Sequence, residues 1–125
     1  MSLVLDAGAF LAVERGDRDV VALIKRELLE GLPPRTHAGV VGQVWRGGSR
    51  QAVLASILRG TAISPLDDAL ARRAGVLVGK ARASDIVDAA LALLAVDGDT
   101  LLTSDPKDLS RLLAAADLHV DVVPV

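Results

Sequence analysis

The sequence predicts a single α/β domain in which helices cover both faces of a parallel sheet. Short apolar segments alternate along the 125 residues with longer segments of helical pattern. Strands separated by helices of about ten residues favour parallel pairing. The length is that of one ordinary domain, so residues 1–125 are interpreted as one unit. The longest apolar run, residues 89–96, is far shorter than the ~20 residues of a membrane span.

The first third of the chain predicts one strand and two helices. Met1–Leu5 is a short apolar run typical of a buried strand. Ala7–Glu14 predicts a short helix that Gly16 ends, and Asp17 can cap a second, amphipathic helix. The glycine and two prolines within residues 31–34 end that second helix.

The middle third is less regular. Ala38–Arg46 is compatible with strand and helix, and we favour a short strand or turn leading into a helix near Gln43. Ser49 can cap a helix that runs to Leu58, where an arginine and a glycine follow. A second strand is predicted at Thr61–Ser64, and a helix at Pro65–Lys80.

The last third repeats the alternation. Ser84 can cap the most apolar helix, Asp85–Val96, which is followed by a turn that contains Asp97 and Asp99. A third strand is predicted at Thr100–Thr103. A helix at Pro106–Ala116 and a last strand at Leu118–Val123 complete the prediction.

Composition excludes several functional classes. The chain has no cysteine, so disulfides, thiol nucleophiles and cysteine-ligated metals are excluded. Its only aromatic residues are Phe10 and Trp45, which disfavours base stacking, and Trp45 is interpreted as a packing anchor. Two histidines cannot form a three-histidine site, and both His37 and His119 are expected at the surface or a strand edge. Without a basic, apolar leader, a cytoplasmic domain with no membrane partner is expected.

Aspartate outnumbers glutamate thirteen to three, which indicates either helix capping or metal binding. Asp6 and Asp105 follow predicted strands, while Asp85 and Asp88 share a helix face, as do Asp105 and Asp108. Each acid alone is explained by capping. Asp88, however, lies inside an apolar helix with no adjacent cation, and a buried charge requires a partner or a metal. Converging carboxylates suit Mg²⁺ or Mn²⁺, which activates water and binds phosphate.

Four segments in order resemble the PIN-domain ribonucleases, specifically the VapC-type toxins. They are LDAGAF (Leu5–Phe10), VVGQVWRGGSRQ (Val40–Gln51), SDIVDAALALLA (Ser84–Ala95) and TSDPKDL (Thr103–Leu109). The resemblance implies a PIN-like three-layer α/β/α sandwich and a Mg²⁺- or Mn²⁺-dependent endonuclease for single-stranded RNA. It also implies a cognate antitoxin protein and a homodimer.

The resemblance assigns roles to particular residues. It implies that Asp6, Asp88 and Asp105 are the catalytic metal ligands, with Asp85 and Asp108 as auxiliary acids. The family usually has Glu where this chain has Gln43, which can ligate through its carbonyl or hold a metal-bound water. Losing one charge at ~4 Å from a cation costs up to ~4 kcal/mol at an effective dielectric near 20.

Two matters are left open by the sequence. Basic residues near the motifs can bind the RNA backbone or serve only as solvated surface charge; they are Arg46, Arg50, Arg82 and Lys80. The neutral Gln43 also permits a second function, a weak or inactive PIN-like binding module that keeps antitoxin or RNA binding. A nuclease assay with Mn²⁺ separates the two functions.

Overall fold

The computed structural model describes residues 2–125, which contain five short strands, seven α-helices and one 3₁₀ turn. In chain order, the elements are β1 (Leu3–Leu5), α1 (Ala7–Glu14), α2 (Arg18–Leu29), β2 (Arg35–His37), α3 (Ala38–Val44), the 3₁₀ turn (Ser49–Gln51), α4 (Ala52–Arg59), β3 (Ala62–Ser64), α5 (Asp68–Ala81), α6 (Ile86–Leu94), β4 (Thr100–Thr103), α7 (Pro106–Ala115) and β5 (Asp121–Pro124). Met1, the first residue of the first predicted strand, lies outside the described residues.

The five strands form one parallel sheet in the order β3-β2-β1-β4-β5. Two groups of helices pack in this fold: α1 contacts α2, α3 and α4, and α5, α6 and α7 contact one another. The predicted α/β class with a central parallel sheet is therefore confirmed, and the arrangement is consistent with a three-layer α/β/α sandwich. The carboxyl ends of β1 and β4 lie side by side, since Leu5 pairs with Leu102. The loops after these central strands therefore meet at one edge.

The core is built from the central strands and from α1 and α6. Leu3, Val4 and Leu5 of β1 are all fully buried, as is Phe10 of α1. Residues 89–92 of α6 are also fully buried, and three of them are alanines, which permits close packing against α5 and α7. Among residues 2–125, no helix is long and apolar enough to cross a bilayer.

The predicted boundaries around residues 35–46 were wrong. The strand lies earlier, at Arg35–His37, and the helix begins at Ala38, five residues before Gln43. Polar interactions explain the displacement: Thr36 Oγ1 donates to the Leu5 carbonyl, and His37 Nδ1 caps α3 by accepting from the Gly39 N–H. A strand that is held by such polar bonds lacks the apolar pattern from which strands are recognised.

Three smaller predictions also differ from the structure. Asp85, and not Ser84, caps α6, because its carboxylate accepts from the Asp88 N–H at 3.0 Å. A 3₁₀ turn without a side-chain cap precedes α4, so Ser49 does not cap that helix. The last strand starts at Asp121, three residues later than predicted, after a turn in which Asp117 adopts a left-handed conformation (φ 57°).

Asp99, expected in the turn after the most apolar helix, is buried at the amino edge of the sheet. Its carboxylate accepts from the guanidinium of Arg35 and from the backbone N–H groups of Ser2 and Val96. Arg35 also donates to the Leu94 carbonyl at 2.6 Å. This part-buried ion pair connects the starts of β1, β2 and β4 with the end of α6.

Candidate functional site

Asp6 lies at the carboxyl edge of the sheet, directly after β1, and is buried. One carboxylate oxygen accepts from the Ala9 N–H at 3.0 Å and so caps α1. The other accepts from the Ser104 N–H at 3.3 Å, across to the loop after β4. The two bonds fix the orientation of the carboxylate at the junction of β1 and β4.

Asp88 lies in the first turn of α6 and is half-buried. Burial and the negative charges of four aspartates, Asp85, Asp6, Asp105 and Asp108, raise its pKa from 3.8 to about 7. No Lys or Arg among residues 2–125 forms an ion pair with it. The site therefore carries an uncompensated concentration of negative charge.

Asp105 and Asp108 form the third part of the acidic site. Asp105 is exposed, and its N–H donates to Thr103 Oγ1 at 2.8 Å. The pKa of Asp105 is raised by desolvation, by a hydrogen bond with the side chain of Asp108 and by the negative charge of Asp108. Asp105 directly precedes α7, and its carboxyl group lies next to Asp108 in the first turn of that helix.

The chemistry of these donors fits a hard divalent cation, which prefers oxygen ligands and would neutralise the mutual repulsion. Their positions fit less completely. Within residues 2–125, no group of three acidic or histidine side chains is close enough to form a ready-made metal centre. A cation would thus draw exposed carboxyls such as Asp105 toward the fixed Asp6.

Gln43 lies on the exposed side of α3, and no contact of its amide with the acidic residues is seen in the described part of the chain. Its backbone carbonyl accepts from the Arg46 guanidinium, which also bonds the carbonyls of Gly42 and Trp45. Arg46 thus satisfies the last carbonyls of α3. Trp45 is 42 % exposed, so it is at most a partial packing anchor.

Arg50 and Arg82 are exposed. Arg50 belongs to the 3₁₀ turn, and Arg82 follows α5 in a left-handed conformation (φ 54°), where glycine is the usual residue. Neither has an ion-pair partner among residues 2–125. Both guanidinium groups are therefore available to a ligand, whereas that of Arg46 is engaged with the backbone.

His37 was expected at the surface or a strand edge; it is the last residue of β2 and is fully buried. Its Nε2 lies 2.8 Å from the carbonyl oxygen of Val87, next to Asp88, while its Nδ1 accepts from Gly39. Burial lowers the pKa of His37, so the ring is neutral at pH 7 and carries its proton on Nε2. A Cβ at Gly39 would lie 2.8 Å from the His37 ring, so residue 39 must be glycine. His37 thereby connects α3 to the first turn of α6.

Gln51 is a second buried residue that the sequence did not single out. Its Oε1 accepts from the N–H groups of Arg46 and Gly47, at 2.8 and 2.9 Å. Its Nε2 donates to the Val44 carbonyl and to the carboxylate of Glu14, the exposed last residue of α1. The glycines before Gln51 indicate a turn, but nothing in the sequence distinguishes this amide from a surface one.

Comparison of the chain with known proteins adds no identification at this point. No family model matches it, and no curated protein matches it. The function must therefore be argued from the site itself.

Proposed function

We propose that this protein is a divalent-metal-dependent endoribonuclease of the PIN-domain, VapC-type class. The observation that carries the proposal is the environment of Asp88 at the carboxyl edge of the parallel sheet. This side chain is half-buried, has no Lys or Arg ion-pair partner among residues 2–125, and is influenced by the charges of four other carboxyl groups. Such an arrangement destabilises the fold unless a cation binds. Ligand sites in parallel α/β sheets characteristically lie at this edge.

Asp6, Asp88 and Asp105 would hold Mg²⁺ or Mn²⁺, with Asp85 and Asp108 as auxiliary acids. When bound, such an ion supplies an acidified water and neutralises charge on a phosphodiester. Asp6 contributes a carboxylate whose orientation is set by two backbone N–H groups. Asp88 contributes a carboxyl that exchanges its proton near neutral pH, and ligation requires that proton to leave.

The substrate in this proposal is single-stranded RNA, which Arg50 and Arg82 would bind through its phosphates. Arg46 would contribute its charge while it remains bonded to the end of α3. The exposed amide of Gln43 would offer a neutral polar group. A cognate antitoxin, a homodimer and action in the cytoplasm belong to the same proposal.

A second candidate function is a PIN-like binding module with weak or no catalysis. Two observations favour it: Gln43 is a neutral amide, and no ready-made three-ligand centre is present among residues 2–125. A binding module would keep its contacts with RNA or antitoxin but would gain no cleavage from a divalent cation.

Mn²⁺ binding and RNA cleavage distinguish the two functions. Free Mn²⁺ is measured by electron paramagnetic resonance during titration of the wild type, Asp6→Asn and Asp88→Asn, with Asp121→Asn as an exposed control. Cleavage of a fluorescently labelled single-stranded RNA is followed on the same samples. The nuclease proposal requires Mn²⁺-dependent cleavage that both site variants lose and the control keeps. Mn²⁺ binding without cleavage supports the module, and cleavage that survives both site variants refutes the proposed site.

A further inference from the structure

A groove of about 430 Å³ lies between α5 and the end of α7, on a part of the surface that the acidic site does not use. Its lining includes aliphatic side chains, here called the floor, from Val76 and Leu77 of α5, Leu93 of α6 and Ala116 after α7. Val76 is 74 % exposed. A single exposed valine is ordinary, but here it is continuous with an apolar floor that three helices share.

Positive charge surrounds this floor. Arg72, Arg73 and Lys80 line the groove, and no acidic side chain of residues 2–125 does. Arg72 is paired with Asp68 at 3.0 Å, whereas Arg73 and Lys80 have no ion-pair partner in the described part of the chain. Because the chain has a net charge of −2, this is a local positive patch on an acidic protein.

We propose that the groove binds an acidic amphipathic helix of a partner protein. A groove whose apolar lining comes from neighbouring helices is a surface on which an amphipathic helix can bury its apolar face. Arg73 and Lys80 lie seven residues apart on α5, or about 10 Å along its axis. Two acidic residues seven positions apart on the partner helix would form ion pairs with Arg73 and Lys80. Aliphatic side chains that lie between these two acidic residues would contact Val76.

A protein helix fits this groove better than RNA does. All the uncharged side chains that line it are aliphatic, so unpaired bases would have no aromatic ring on which to stack. Aliphatic surface with cationic edges instead complements leucine and glutamate on one helix face. The proposal is independent of metal binding and of nuclease activity.

The test uses a synthetic, fluorescein-labelled helical peptide of 14 residues, the length of α5. It carries leucines on one face and glutamates seven residues apart, and binding is followed by fluorescence anisotropy. The wild type is expected to bind, and the double variant Arg73→Glu, Lys80→Glu to bind at least ~10-fold more weakly. Val76→Asp is expected to weaken binding similarly, and its high exposure keeps the fold intact.

The matched control is Lys25→Glu, Arg26→Glu, which makes the same charge change on exposed residues of α2. Circular dichroism verifies the fold of each variant. The proposal is wrong if the peptide does not bind, or if the control weakens binding as much as the groove variant. It is also wrong if the groove variants weaken binding of single-stranded RNA but not of the peptide. A change from dimer to monomer in Val76→Asp, measured by sedimentation, would likewise assign the groove to a second copy of the chain and overturn the proposal.

Discussion

Replacing Asp88 by asparagine is expected to stabilise the metal-free protein. Asparagine has nearly the shape of aspartic acid but no charge, and its amide can donate to the surrounding carboxylates. The pKa of Asp88 is raised from 3.8 to about 7, so the ionised form is unfavourable in the folded state. The substitution removes this unfavourable form and leaves the packing of α6 unchanged.

The size of the effect follows from the pKa. The rise of the Asp88 pKa from 3.8 to about 7 corresponds to ~4 kcal/mol, at ~1.4 kcal/mol for each tenfold change in the ionisation equilibrium. Solvent reaches the half-buried side chain, so we expect about half of this, ~2 kcal/mol.

The dependence on pH has a definite sign. Below about pH 4, Asp88 is protonated in the folded protein and largely protonated in the unfolded chain, so it has little effect on stability. Between about pH 4 and pH 7 the unfolded chain releases this proton while the folded protein still holds it, so wild-type stability falls relative to that of the variant, and above pH 7 the loss is complete. The gain from Asp88→Asn should therefore be small near pH 4 and complete near pH 8.

Urea unfolding in EDTA near pH 4 and pH 8 measures this gain. The control Asp121→Asn removes an exposed carboxylate on β5 and should change stability by less than ~0.5 kcal/mol. Excess Mn²⁺ should reverse the order, because it stabilises only the chain that binds it, by ~2.7 kcal/mol at a hundredfold excess over Kd. The reasoning is refuted if Asp88→Asn is no more stable than the wild type at pH 8, or gains equally at both pH values.

Three further predictions concern metal affinity, Gln43 and His37. Mn²⁺ affinity of the wild type should rise several-fold between pH 6 and pH 8, because the proton on Asp88 competes with the ion; a flat calorimetric profile would contradict this. Gln43→Glu should strengthen Mn²⁺ binding by about fivefold, or ~1 kcal/mol, because it adds a largely solvated negative charge. An Mn²⁺ affinity that is unchanged by calorimetry would place residue 43 away from the ion. His37→Phe should lower the free energy of unfolding by ~3 kcal/mol through loss of the α3 cap and the bond to Val87. His37→Asn should recover only the part of this free energy that the α3 cap contributes. Equal urea midpoints for the two variants would refute this division of the free energy between the cap and the bond to Val87.

The sequence predicted elements whose apolar pattern is continuous and missed those held by polar bonds. Leu3–Leu5 and Thr100–Thr103 pack in the centre of the sheet, and the apolar residues within them made these strands recognisable. Arg35–His37 was not recognised because its three side chains are polar and its stability depends on distant partners such as Leu5 and Asp99. Partners that are distant in sequence cannot be identified from local periodicity.

The same limit applies to the site. Asp6, Asp88 and Asp105 were recognisable because aspartates after strands, or inside an apolar helix, stand out from the local pattern. His37 and Gln51 have no such signal, since their burial depends on how α1, α3 and α6 meet. The acids that gather at the carboxyl edge could therefore be singled out from the sequence, but the residues that position the surrounding helices could not.

The two edges of the sheet offer a comparison within one molecule. At the amino edge, the buried Asp99 is neutralised by Arg35 and accepts two backbone N–H groups, so the chain compensates this acid. At the carboxyl edge, Asp88 has no basic partner among residues 2–125, and its nearest charges are all negative. A carboxylate whose only role is structural is expected to be paired with a basic residue, as Asp99 is, since an uncompensated carboxylate weakens the fold. The contrast supports a role for Asp88 in binding a cation, and this role would explain why the chain keeps a carboxyl group that lowers the stability of the metal-free fold.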